Sequence, residues 1–148
     1  MTMMVRRARS GDAGTLTALY RELVPGDPNI HVDGAQVAAL HEDQWNVLLV
    51  VERADVVRGT ALLTICRGVM YGSQPYGLIE NVVVQPGFRG TGIGGALFAE
   101  LEAVARARGC TKLMLLSAAT RADAHRFFTR CGFDGAKKRG FVKYLNRP

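Results

Sequence analysis

The stretch VVVQPGFRGTGIGGALF, positions 82–98, sets three β-branched residues, five glycines and the start of an apolar helical repeat in direct succession. β-Branched residues suit a strand, and Ile93, Leu97, Leu101 and Val104 recur at helical spacing. Each glycine costs about 1 kcal/mol against alanine in a helix interior, so five at this joint need a reason. A strand that runs through bare backbone into a helix N-terminus is an anion site by construction. The first helical amides lack internal partners, the helix dipole adds partial positive charge, and a side chain would hold a phosphate away.

Two familiar phosphate loops fail on the residues. Gly87 to Gly92 has the spacing of a P-loop, but Ile93-Gly94 follows where Lys and then Ser or Thr are required. Gly90-Thr-Gly92-Ile-Gly94-Gly95 satisfies GxGxxG. Its companion acid is missing, because Leu115-Leu116-Ser117 stands where a dinucleotide fold needs a carboxylate for the ribose. Only one strand–helix–strand unit remains after that point.

Periodicity supplies the rest of the fold. Residues 4–8 read as a strand, followed by Ser10 or Asp12 as helix cap and by Leu16, Leu19, Tyr20 and Leu23 at helical spacing up to Pro25-Gly26. A second helix fits 33–42, capped by Asp33. Residues 46–53 and 56–69 read as strands joined at Ala54-Asp55, and 77–84 as another. Behind the glycine loop come a helix ended by Gly109, a strand at 112–117, a helix ended by Gly132, and a final strand at 141–145. The early strands form a meander and the later ones alternate with helices. The expected class is α/β, a mixed β-sheet flanked by helices in the order β-α-α-β-β-β-α-β-α-β, with residues 1–148 as one domain.

Hydrophobic residues at 48% and charged residues at 22% place the chain among soluble globular proteins. Its longest aliphatic run, 47–51, is far below the roughly 20 residues of a membrane span. The opening MTMMVRRARSGDAG has charge but no apolar stretch behind it, so it does not read as a signal peptide. The expected location is the cytoplasm, with no membrane partner. Cys66, Cys110 and Cys131 are widely spaced and without CxxC pairing, and the three histidines lack ligand spacing. Buried free thiols and no metal are expected. Nineteen Lys and Arg against thirteen Asp and Glu give a charge of +6, which favours anionic partners. No basic stripe interleaved with aromatics is present, which argues against nucleic acid.

Arg89-x-x-Gly92-x-Gly94 matches the R/Q-x-x-G-x-G/A motif, and here the chain resembles the GNAT superfamily of N-acetyltransferases. IENVVVQPGFRGTGIGGALFAELEAVARARGC resembles that superfamily's fourth strand, pyrophosphate loop and following helix. RADAHRFFTRCGF resembles its next helix and turn, and VRRARSGDAGTLTALYREL its opening. The resemblance implies acetyl-CoA as cosubstrate, its pyrophosphate held by backbone N–H groups of Arg89, Gly90, Thr91, Gly92, Ile93, Gly94 and Gly95. It implies that the backbone of Val82, Val83 and Val84 pairs with the pantetheine arm where the strand splays from its neighbour. An amide near Asn81 or Val82 would polarise the thioester carbonyl. Ser117 and Phe128 complete the implied cofactor contacts.

Amine acetylation also needs the amine neutral and the thiolate able to leave. In GLIENVVV, alternation places Leu78, Glu80, Val82 and Val84 on one face. A carboxylate buried among aliphatic neighbours has a raised pKa and suits a general base, directly or through water. On the residues alone, a strand-end carboxylate paired with an arginine explains Glu80 equally well; the resemblance favours the catalytic base. Many relatives have tyrosine, the usual general acid, where this chain has Phe128, which reads instead as a wall against the pantetheine. Water, Ser117, Thr120 or a tyrosine elsewhere is left for that role. His125 reads as a helix-surface or packing residue. Tyr71, Tyr76 and the residues near 27–33 are placed to line the acceptor site. No cysteine has a base or cationic motif beside it, so direct transfer in a ternary complex is expected. The expected acceptor is a small primary amine. A protein N-terminus or lysine, or a CoA-sensing basic module with weak activity, remains as an alternative. A homodimer is implied by the resemblance alone.

Overall fold

The computed structural model describes residues 2–146. Among these, five strands form one sheet in the order β1-β2-β3-β4-β5: β1 Met3–Arg7, β2 Asn46–Arg53, β3 Val56–Cys66, β4 Tyr76–Val84 and β5 Leu113–Leu115. β1 to β4 are antiparallel neighbours, and β5 joins β4 in parallel. The mixed, helix-covered α/β sheet expected from the sequence is present. β3 and β5 stop short of the apolar patterns that predict them, at Cys66 and Leu115.

Helices α1 (Ala13–Leu23) and α2 (Gly34–His41) cover one face. Leu16, Leu19 and Val37 pack there on Leu48, Val50, Val57 and Val83. Helices α3 (Ile93–Ala107) and α4 (Ala122–Arg130) cover the other. Ile93, Leu97, Leu101 and Phe128 pack there with Val47, Leu49, Val51, Leu63 and Ile79. The two clusters take alternate residues of β2, as a strand buried on both faces requires.

Several local signals act where the sequence places them, although Asp12, at the N-cap of α1, makes no side-chain capping bond to it. Asp33 caps α2 by accepting from the Ala35 amide at 2.9 Å. Gly109 and Gly132 leave α3 and α4 in the left-handed region, at φ +75° and +94°. Ala54 and Asp55 both take positive φ in the β2–β3 turn, the geometry of a two-residue hairpin. One expected element is not formed. Residues 141–145 take no strand conformation, and Phe141 and Leu145 stand exposed. Alternation supplies the strand pattern, but a strand also needs a neighbour for its backbone groups.

An ion cluster ties the start of the chain to the sheet. Arg6 on β1 donates to both Asp12 oxygens at 2.8 and 2.9 Å and to Glu52 Oε1 at 2.9 Å. Hydrogen bonds from Arg6, opposed in part by burial, hold the Asp12 carboxyl below its ordinary value. The Asp12 contribution to stability is therefore complete above the ordinary carboxylate pKa, and it is lost as pH falls through the lowered folded value. Asp12→Asn should cost about 1–3 kcal/mol at neutral pH. Denaturant titrations of both proteins at a series of pH values should show that difference shrinking in acid.

Candidate active site

β4 departs from regular strand geometry at one residue. Glu80 lies opposite Leu62 and Val83 opposite Thr60, so Asn81 and Val82 together face Ala61. This is a β-bulge, and Asn81 occupies it at φ +57°. Asparagine is among the few side chains that enter this region readily.

The extra residue reverses which side chains face which layer. Glu80 shares a face with Leu62, on the α1–α2 side. Val82 and Val84 turn to the α3–α4 side, while Val83 packs under α1. The expected single face of Leu78, Glu80, Val82 and Val84 is thus corrected. Glu80 is also exposed rather than enclosed by aliphatic neighbours, so the burial expected there is not present. A bulge leaves its extra residue out of the ladder, and here that residue directly follows Glu80 in the chain.

The other side of β4 opens at the same place. β4 and β5 pair at Gly77–Leu113, Leu78–Met114 and Ile79–Leu115. Beyond Ile79, β4 has β3 on one side and, among the described residues, no strand on the other. Pairing ends there because β5 itself ends at Leu115, which leaves one backbone edge of residues 80–84 without a neighbouring strand among the described residues.

That edge leads into the glycine loop. Gly92 is the N-cap of α3 at φ +90°, so no capping side chain occupies the helix end. The next two glycines differ in purpose. A Cβ on Gly94 would lie 3.0 Å from the Phe127 ring, so this glycine lets α3 and α4 approach closely. A Cβ on Gly95 would meet nothing within 4 Å, which leaves open space before the first turn of the helix. Ile93 is fully buried, so only its backbone is available to a ligand. Arg89 and Gly90 are exposed and Thr91 is half-buried, its hydroxyl bonded to the Phe88 carbonyl.

Two arginines absent from the sequence reading brace this loop. Arg53, at the end of β2, donates to the Thr91 carbonyl at 3.2 Å. Arg58, on β3, donates to Gln85 Oε1 at 2.7 Å and lies 4.1 Å above the Phe88 ring. Neither carries a motif. Only the order of the strands brings the β2–β3 hairpin against the loop.

The remaining candidates lie elsewhere. Phe128 is 8% exposed and packs against Phe98 and Phe133, at 5.6 and 6.4 Å between ring centroids. Ser117 follows β5, and its Oγ is buried with no hydrogen-bond partner among the described residues. His125 Nε2 is 3.0 Å from the Ala118 carbonyl, a contact that fixes the turn after β5. Tyr71 stands exposed between β3 and β4, Tyr76 opens β4 four residues before Glu80, and residues 27–33 join α1 to α2. The phenol of Tyr20, on the face shared with Glu80, is pushed up by burial, partly offset by its bond to Thr60. Among the described residues no group of three His, Cys, Asp or Glu side chains is placed to hold a metal. No helix there is long and apolar enough to cross a membrane.

Comparisons with known proteins point to one family. The sequence model of the acetyltransferase (GNAT) family matches residues 16–133. The chain belongs to that family. It is 36% identical over 76 residues to an aminoglycoside N(6')-acetyltransferase type 1 of Stenotrophomonas maltophilia, covering 51% of this chain and 48% of that protein. It is 37% identical over 75 residues to a glucosamine 6-phosphate N-acetyltransferase of Trypanosoma brucei brucei, covering 51% and 49%. These matches span about half the length of each relative. A putative acetyltransferase from Agrobacterium tumefaciens str. C58 shares the fold at TM-score 0.85 and 30% identity, over 95% of this chain and 99% of that one.

The bulge gives a direct test. Asn81→Gly should leave stability nearly unchanged, whereas Asn81→Val should lose about 1–2 kcal/mol for a β-branched residue forced to positive φ. Denaturant unfolding of the two variants beside the parent measures it.

Proposed function

We propose that this chain is an N-acetyltransferase that moves an acetyl group from acetyl-CoA to a primary amine of a small molecule, by direct transfer in a ternary complex. The observation that carries this reading is the open backbone edge of β4 from Glu80 to Val84, which the chain follows with loop 85–92 and the amides at the start of α3. The open space at Gly95 fits a bulky anion there. Backbone N–H groups from Arg89 to Gly95 would hold the pyrophosphate, and the edge at Val82–Val84 would pair with the amides of the pantetheine arm. Acetyl-CoA supplies the acetyl group as an activated thioester.

The chain's own residues do the rest. The amide at Asn81 or Val82 donates to the acetyl carbonyl, which is where negative charge develops. Glu80 takes the proton from the incoming amine, directly or through a water that its exposure admits. A thiol of pKa ~8.5 is a fair leaving group, which suits a site where Phe128 supplies no proton. The relatives named for an aminoglycoside and for glucosamine 6-phosphate support an amine on a small polar molecule as acceptor. The reaction is assigned to the cytoplasm, where the three cysteines stay reduced.

Calorimetric titration of acetyl-CoA into the parent and into Gly92→Val tests the loop. The parent should bind, and a folded Gly92→Val should not, because valine is disfavoured at φ +90°. An absence of binding to the parent would remove the acetyl-CoA reading. Binding without turnover on a panel of amines would favour the CoA-sensing alternative. Glu80→Gln should lower kcat by about 10²-fold to 10⁴-fold and should abolish the acid limb of the pH–rate profile. An unchanged profile would remove Glu80 from the role.

A further inference from the structure

The glycine loop is tied down along one side from end to end. The Gln85 N–H donates to the Arg58 carbonyl at 2.7 Å, and the Phe88 N–H to the Gln85 carbonyl at 3.0 Å. The Thr91 hydroxyl then donates to the Phe88 carbonyl, and the Arg53 guanidinium to the Thr91 carbonyl at 3.2 Å. Every third carbonyl, at 85, 88 and 91, is thus occupied. In a trans peptide the N–H points opposite the C=O of the same unit. Holding the Phe88 and Thr91 carbonyls in this way turns the next N–H groups, of Arg89 and Gly92, to the other side. The Gly92 carbonyl accepts the first bond of α3, from the Ala96 N–H. The amides of Ile93, Gly94 and Gly95 therefore have no partner inside the helix.

The charges behind the loop are incomplete. Arg53 and Arg58 are half-buried, and among the described residues neither forms an ion pair. Glu52, beside Arg53 in the chain, is taken by Arg6. The Nε of Arg58 is buried without a hydrogen-bond partner among the described residues. A charge withdrawn from water without a counter-charge is costly, and an anion in front of the loop lowers that cost.

We infer that Arg53 and the Thr91 hydroxyl are positioning residues for a phosphate ligand. They aim the N–H groups of Arg89 and Gly92 at it before it arrives, and Arg53 adds positive charge from behind. The Thr91–Gly92 peptide transmits this, because a cation on its carbonyl polarises its N–H into a stronger donor. Donors fixed in advance spare the cost of ordering them on binding. The identity of the ligand rests on the acetyl-CoA reading above, in which it is the pyrophosphate of the cosubstrate.

Titrations with inorganic pyrophosphate and with acetyl-CoA, each at several salt concentrations, test the two proposals separately. Arg53→Met keeps an apolar stem and removes donor and charge. It should weaken both ligands about tenfold, and its affinity should depend less on salt than the parent's does. Arg53→Lys should recover most of the loss. Thr91→Val should weaken both ligands and keep the parent's salt dependence. In amide NMR spectra of the parent, the Arg89 and Gly92 N–H protons should move downfield as pyrophosphate saturates it. A purely structural brace would change thermal stability and leave the salt dependence and that shift alone. Where Arg53→Met fails to fold, Thr91→Val and the parent's own spectra still decide. Parent-like binding by the variants would overturn the inference while keeping the acetyl-CoA reading, and so would unmoved Arg89 and Gly92 protons in the saturated parent. Pyrophosphate bound without acetyl-CoA, and weakened in Arg53→Met, would keep the inference and remove that reading. A parent that binds neither ligand overturns both.

Discussion

At Asn81, β4 takes one residue more than β3 opposite it, and the direction of every later side chain on the strand depends on that step. Without Asn81 in the left-handed region, strict alternation would carry Glu80, Val82 and Val84 on one face. With it, Glu80 faces the α1–α2 side while Val82 and Val84 serve the core under α3 and α4. One strand thus presents a carboxylate to one layer and anchors the other, and the residue between them has its backbone outside the ladder. The pairing of β4 with the short β5 ends at Ile79, at the same place.

The glycine loop shows how one composition can answer several physical demands. Gly92 is required by backbone conformation, Gly94 by the approach of Phe127, and Gly95 by neither. A glycine whose added Cβ would meet only open space gains nothing for the protein's own packing, and it weakens the first turn of α3. In the function proposed above, its use is to admit the anion that approaches from outside. Arg53 and Arg58 hold the loop in place, through the Thr91 carbonyl and the Gln85 side chain. Their guanidinium groups also set positive charge against the loop, with that of Arg58 resting on the Phe88 ring.

The helices and most strands were legible because their signals are local. Apolar spacing on α3, the Asp33 cap and the glycines at 109 and 132 each act within a few residues. The loop motif was legible for the same reason. The bulge was not, because Asn81 reads as an ordinary strand residue until its register against Ala61 is known. Arg53 and Arg58 were equally hidden, since what they touch depends on the order of strands across the sheet.

Residues 141–145 mark the limit of local reading most clearly. Alternation in FVKYL states what the segment can become, whereas strand formation requires backbone partners from elsewhere. Among the described residues, the outer edge of β5 has no strand beside it either. An exposed apolar strand edge is a liability in any globular chain.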